Sequence, residues 1–204
     1  MNPETAAKHL ELIRTLMERS VLYRRTLAPV MLLAGSCGTL GALAARTWQF
    51  QSGTPFLLFW MSLCTVALAG SLLVIRRQAI RSREPFWSPP TRRIAQAISP
   101  GLLAGLGWAV STAMTGGSAW TLASLWLSFY GCALHAGGAF MLRGIRLFGG
   151  LLMVLGITAF LLPKYASQIP AFSDPNFLMG FGFGILHLGF ACYLQVTENR
   201  ELLK

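Results

Sequence analysis

Apolar residues along this chain gather into six long blocks, 27–46, 55–75, 98–116, 119–141, 145–162 and 177–196, with the charged residues between them. Each block is close to the roughly twenty residues that a helix needs to cross about 30 Å of hydrocarbon. Inside a bilayer no water completes the hydrogen bonds of the backbone, so the blocks are expected as α-helices. A membrane β-barrel would alternate apolar and polar residues over short strands. These blocks are continuous and rich in Leu, which excludes that architecture. The pattern predicts an all-α polytopic membrane protein whose transmembrane domain, 27–196, is a six-helix bundle.

Residues 1–26 follow a different period. Asn2, Pro3 and Glu4 read as a helix start, with a cap, a proline at the first helical position and an acid in the first turn. Ala6, Leu10, Ile13, Met17 and Val21 recur three or four residues apart and so share one face. Glu4 with Lys8 and Arg14 with Glu18 are i,i+4 pairs on the opposite surface. The segment is expected to be an amphipathic helix beside the membrane, with Arg24 and Arg25 at its membrane end and its apolar face on lipid, on a second copy or on a partner protein. No signal peptide is expected, because the first apolar block is too long for one. Residues 197–204 form a short tail.

Charge orients this arrangement. The chain is 54% hydrophobic, only 12% charged, and carries a net charge of +10. In a soluble protein that excess would point to nucleic acid; here the basic residues sit at the block ends, so no nucleic-acid partner is expected. With the N-terminus inside, every one of the seventeen Lys and Arg residues except Arg46 and Lys164 falls on the cytoplasmic side. The expected location is a bacterial plasma membrane, with both termini cytoplasmic. The stretch 76–97 becomes the longest inner connection, where Glu84 to Pro90 cannot continue a helix. Its Phe86 and Trp87, beside Arg92 and Arg93, suit an interfacial anchor, and Trp48 and Trp120 suit the outer surface. Pro29 and Pro100 are expected to open blocks one and three. Trp60-Met61-Ser62 and Trp126-Leu127-Ser128 share an offset that suggests three related hairpins.

Candidate chemistry is sparse. No Asp, Glu, Lys or Arg lies deep in a block, so an ion-coupled carboxylate relay is not expected. Only His135 and His187 are ionisable there, and they are the candidates for a haem or metal. Simple depth counting puts them roughly 9 Å apart along the bilayer normal. Cys132, His135 and Cys192 form the alternative ligand set. The competing reading is two neutral histidines hydrogen-bonding across helices, and no cofactor is expected. Gly101 with Gly105, Gly180 with Gly184, and the stripe Ala34, Gly38, Ala42 are close-packing surfaces, either within the chain or at a homodimer seam. Gly137 and Gly138 add small surface near His135. Ser111, Thr112, Thr115, Thr121, Ser124 and Ser128 are the residues a polar path would use. No serine-nucleophile motif, HExxH, CxxC or exposed acidic pair is present, so no catalytic residue is assigned.

The runs Asn2-Pro3-Glu4, Ile13 to Arg19, Tyr23-Arg24-Arg25 and Pro85 to Arg93 resemble a group of uncharacterised bacterial multi-span membrane proteins. That resemblance implies location and directs attention to the N-terminal helix and the inner connection; it implies no activity. Three functions are therefore expected as alternatives: a non-enzymatic sensor, regulator or membrane subunit acting through cytoplasmic contacts; a small transporter or channel for a neutral or weakly polar solute; and a redox subunit using His135 and His187.

Overall fold

The computed structural model describes residues 27–47, 53–83, 85–162 and 174–202. The expected N-terminal helix with Leu10, Ile13, Met17, Arg24 and Arg25, and also Trp48, lie outside the described residues. Among the described residues there are only helices and their connections. Helix α1 is Leu27–Thr47, α2 is Gly53–Arg81, α3 is Pro89–Met114 and α4 is Ala119–Gly137. A 3-10 turn, Gly138–Phe140, leads into α5, Arg143–Leu161. Helix α6 runs in three consecutive pieces: an α-turn Pro175–Met179, a π-helical stretch Gly180–Ile185 and an α-helix Leu186–Leu202.

Five of the six helices, all but α4, are long and apolar enough to cross a membrane. The physical reason for the exception is position. Helix α4 packs along α3 and α5 and buries nine of its residues. A helix shielded by its neighbours can carry Trp, Ser, Tyr and His where a lipid-facing one carries Leu and Val. The surface of the bundle is correspondingly greasy: Leu58, Val66, Leu103, Met114, Leu147 and Val154 are each more than half exposed.

Helix directions follow from which residues meet. Gly101 faces Ala133 and Gly105 faces Phe129, so α3 and α4 are antiparallel. Gly131 and Gly149 pack across α4 and α5, Gly138 meets Arg146, and Gly156 meets Ser128; this pair is antiparallel too. Leu33 against Gly70 and Leu63 against Gly41 set α1 antiparallel to α2. Gly35 against Leu188 and Ala42 against Gly180 set α1 antiparallel to α6. Helices α1, α3 and α5 therefore point one way and α2, α4 and α6 the other.

Several helix ends depart from the sequence expectation. The connection expected at 76–97 is far shorter, because α2 continues to Arg81 and α3 begins at Pro89. Pro89 and Pro90 occupy the first helical positions, where a missing N–H is harmless. Arg83, with φ of 54°, takes the left-handed conformation that ends α2, a position more often given to glycine. Pro100 lies inside α3 instead of opening it. Helix α6 starts at Pro175, capped by the Asp174 side chain, which accepts from the Asn176 N–H. The α3–α4 turn uses Gly116 at a φ of 75°, a conformation that costs glycine little.

Candidate functional site

Glycine positions the interior. A Cβ at Gly105 would lie 2.8 Å from the Phe129 Cβ, and one at Gly156 would lie 2.5 Å from the Ser128 nitrogen. Both expected GxxxG pairs are in use within the chain: Gly101 and Gly105 against α4, Gly180 and Gly184 against Ala42 and Thr39 of α1. Gly38 meets the Phe183 backbone in the same seam. Gly182, between Gly180 and Gly184, turns the other way and receives Leu127 of α4. Alternate glycines thus leave α6 without a Cβ toward either neighbour. The π-helical widening falls on this stretch, where glycine's small size lets the backbone move toward both α1 and α4.

His187 sits one turn beyond this stretch and is completely buried. Its Nδ1 lies 2.9 Å from the Gly182 carbonyl oxygen. A carbonyl can only accept, so Nδ1 carries the proton. The Tyr130 hydroxyl of α4 lies 3.0 Å from Nε2. In the neutral ring Nε2 is an acceptor, and Tyr130 donates to it. Phe148 meets the imidazole edge-on at 4.9 Å between centroids and Phe183 stacks on it at 5.9 Å. Phe148 in turn stacks on Phe190 at 4.5 Å. Both imidazole nitrogens are therefore satisfied inside an aromatic box contributed by α4, α5 and α6. Coordination of a metal or haem by Nε2 would first require Tyr130 to leave.

His135 has a different setting. It is half-buried, and its Nδ1 donates to the Arg146 carbonyl of α5 at 3.0 Å. Tyr130 pairs with His187, so His135 lies about five residues, roughly 7.5 Å, further along the bundle axis. The two histidines are tied to separate partners. Cys132 and Cys192 are exposed on the bundle surface. Among the described residues no group of three or more His, Cys, Asp or Glu side chains is placed to hold a metal, so Cys132, His135 and Cys192 are not brought together as a ligand set.

A second buried polar group sits toward the opposite end. Trp60 Nε1 donates to the Asn176 Oδ1 at 3.1 Å, and both residues are almost fully buried. Trp120 Nε1 donates to the Ala159 carbonyl at 2.9 Å, linking α4 to α5. Trp126, which matches Trp60 in the suggested repeat, is only partly buried.

The hydroxyls do not converge on a path. Ser124 donates to the Trp120 carbonyl and Ser128 to the Ser124 carbonyl, each at 2.8 Å within its own helix. Thr115 likewise bonds back to the Ser111 carbonyl at 2.9 Å. Thr112 and Thr121 open onto a shallow groove of about 360 Å³ on the bundle surface, beside Trp108, Leu125, Phe129 and Phe160. Among the described residues no buried side-chain nitrogen or oxygen lacks a hydrogen-bond partner.

The remaining sequence candidates lie at the end of the bundle where α3 and α5 begin. Arg92 and Arg93 are exposed in the first turns of α3, and Arg143 and Arg146 in the first turn of α5. Phe86 and Trp87 are exposed beside them, their rings 6.5 Å apart. Sequence reasoning missed Tyr130, Phe148 and Phe183 around His187, and the pairing of Trp60 with Asn176. Compared with known protein families, with curated proteins and with solved structures, the chain matches none.

Proposed function

We propose that this chain is a six-span protein of the bacterial plasma membrane, both ends cytoplasmic, that works without catalysis as a sensor, regulator or membrane subunit through its cytoplasmic face. The observation that carries the reading is the closed interior. Every buried polar side-chain atom described has a partner, and of the hydroxyls that a solute path would use, those of Thr115, Ser124 and Ser128 bond back to their own helices while Thr112 and Thr121 face the outer groove. An interior of this kind offers a solute no polar lining, which favours a structural core over a transporter. The features left facing outward among the described residues are the basic helix ends, Phe86 and Trp87, and the amphipathic period of the sequence 1–26 adds a further candidate contact. Helix α4, packed along α3 and α5 and roughly 28 Å long, is taken as the sixth span because its neighbours, not lipid, cover its polar residues.

Isolation from native membranes in mild detergent tests this proposal. A protein partner is expected to co-purify with the full chain and to be lost when residues 1–26 are removed. Recovery of the chain alone, with 1–26 dispensable for any phenotype of its deletion, would overturn it. Solute uptake into proteoliposomes above the protein-free level would favour a transporter instead.

A further inference from the structure

The two ends of the bundle treat their helix starts differently. Where α4 and α6 begin, the chain supplies its own caps: Ser118 accepts from the Thr121 N–H, and Asp174 from the Asn176 N–H. Where α3 and α5 begin, neither Ser88 nor Leu142 makes a side-chain cap, and neither helix has an acid in its first turn. Both helices carry exposed arginines there instead: Arg92 and Arg93 on α3, Arg143 and Arg146 on α5. Helices α1 to α5 contain no Asp or Glu; among the described residues the acids that share this end are Glu198 and Glu201, near the end of α6. Cations in a first turn also oppose the helix dipole.

These arginines share one end of the bundle. A Cβ at Gly137 would lie 2.6 Å from Ile98 and 3.9 Å from Ile94 of α3, and one at Gly138 would lie 2.6 Å from the Arg146 nitrogen of α5. Two consecutive glycines thus let the end of α4 sit between the starts of α3 and α5, which draws the two arginine pairs to either side of it. Phe140 and Trp87, 55% and 61% exposed, lie just before α5 and α3 at the same end. Arginine beside exposed aromatic rings at the end of an apolar bundle matches the chemistry of a headgroup layer, where phosphates meet the first methylenes.

We propose that this face is a binding surface for acidic phospholipid headgroups, whose phosphates pair with Arg92, Arg93, Arg143 and Arg146. Guanidinium suits the task because its planar fork can hold two phosphate oxygens at once. This assignment rests on the membrane reading above. Its test is independent of topology, because detergent-solubilised protein presents both ends to added lipid.

The experiment is native mass spectrometry of the full chain titrated with phosphatidylglycerol or with phosphatidylcholine. Phosphatidylglycerol is expected to bind more tightly. R92Q/R93Q and R143Q/R146Q should each lose about fivefold in affinity per arginine, while phosphatidylcholine binding stays unchanged. R46Q, an exposed arginine at the opposite end, should bind phosphatidylglycerol like the native chain. Unchanged melting temperatures would show that the variants fold. Equal binding of the two lipids, or equal loss in R46Q, would overturn the proposal. Displacement of phosphatidylglycerol by millimolar inorganic phosphate would reassign the face to a free anion and would equally overturn it.

Discussion

The Tyr130 hydroxyl and the His187 imidazole meet at 3.0 Å across α4 and α6, and the bond has a defined sense because Gly182 fixes the proton on Nδ1. A 15N spectrum of the protein in detergent should therefore show His187 neutral with Nδ1 protonated. The Nε2–H tautomer would mean that the contact with Gly182 is not made. Y130F removes the donor and leaves Nε2 unpaired in an apolar box, at a cost of about 1 kcal/mol. H187L should cost more than Y130F, and the double variant should cost less than the two single ones together, because they share one bond. Thermal melting of the four proteins checks this; strict additivity would mean that the bond contributes nothing.

The α4–α5 seam should be intolerant of bulk. Gly149 faces the His135 backbone and Gly131, so G149L cannot be accommodated without separating the helices. A loss of at least about 1–3 kcal/mol is expected. A methyl group added at Gly107 or Gly189 would meet nothing within 4 Å, and G107A and G189A should melt no lower than the native chain. Equal effects at Gly149 and Gly107 would contradict the seam.

The Trp60–Asn176 bond ties α2 to the start of α6. W60F keeps most of the ring but loses the N–H, and should lower stability by about 1 kcal/mol. W108F provides the contrast, since Trp108 is 59% exposed on the bundle surface and should be near neutral. The ratio of the two melting shifts is the readout.

Much of this arrangement is legible in the sequence because lipid imposes one strong rule, long apolar runs, on every helix it touches. That rule places α1, α5 and the starts of α2 and α6 within two residues, but it misses the start of α3 by nine residues and the ends of α2 and α6 by six. It also finds α4, which starts at Ala119 as its block does and ends four residues earlier, although a helix covered by protein is partly released from the rule. Treating proline as a breaker misplaces helix ends: Pro89 and Pro90 start α3, and Pro100 sits within it. The four-residue spacing rule for close packing is too narrow. Gly101 and Gly105 follow it, but Gly131 with Gly138 and Gly149 with Gly156 repeat every seven residues, the period of an antiparallel helix seam. His187 is visible as a candidate; its partner Tyr130 is not, because a tyrosine in an apolar block gives no sign of which helix its hydroxyl will reach. The Gly180 to Gly184 run is legible as small residues, while its π-helical path depends on α1 and α4 pressing from two sides.

The central claim, that six helices cross the membrane around α4, is tested most directly by labelling the two ends of that helix. In a chain whose cysteines Cys37, Cys64, Cys132 and Cys192 are replaced, single S118C and F140C variants, both at exposed positions, are treated in intact cells with a membrane-impermeant maleimide. S118C should react from outside, and F140C only after the membrane is permeabilised. Reaction of both positions from the same side would mean that α4 does not cross, and the six-span bundle with both ends cytoplasmic would be wrong.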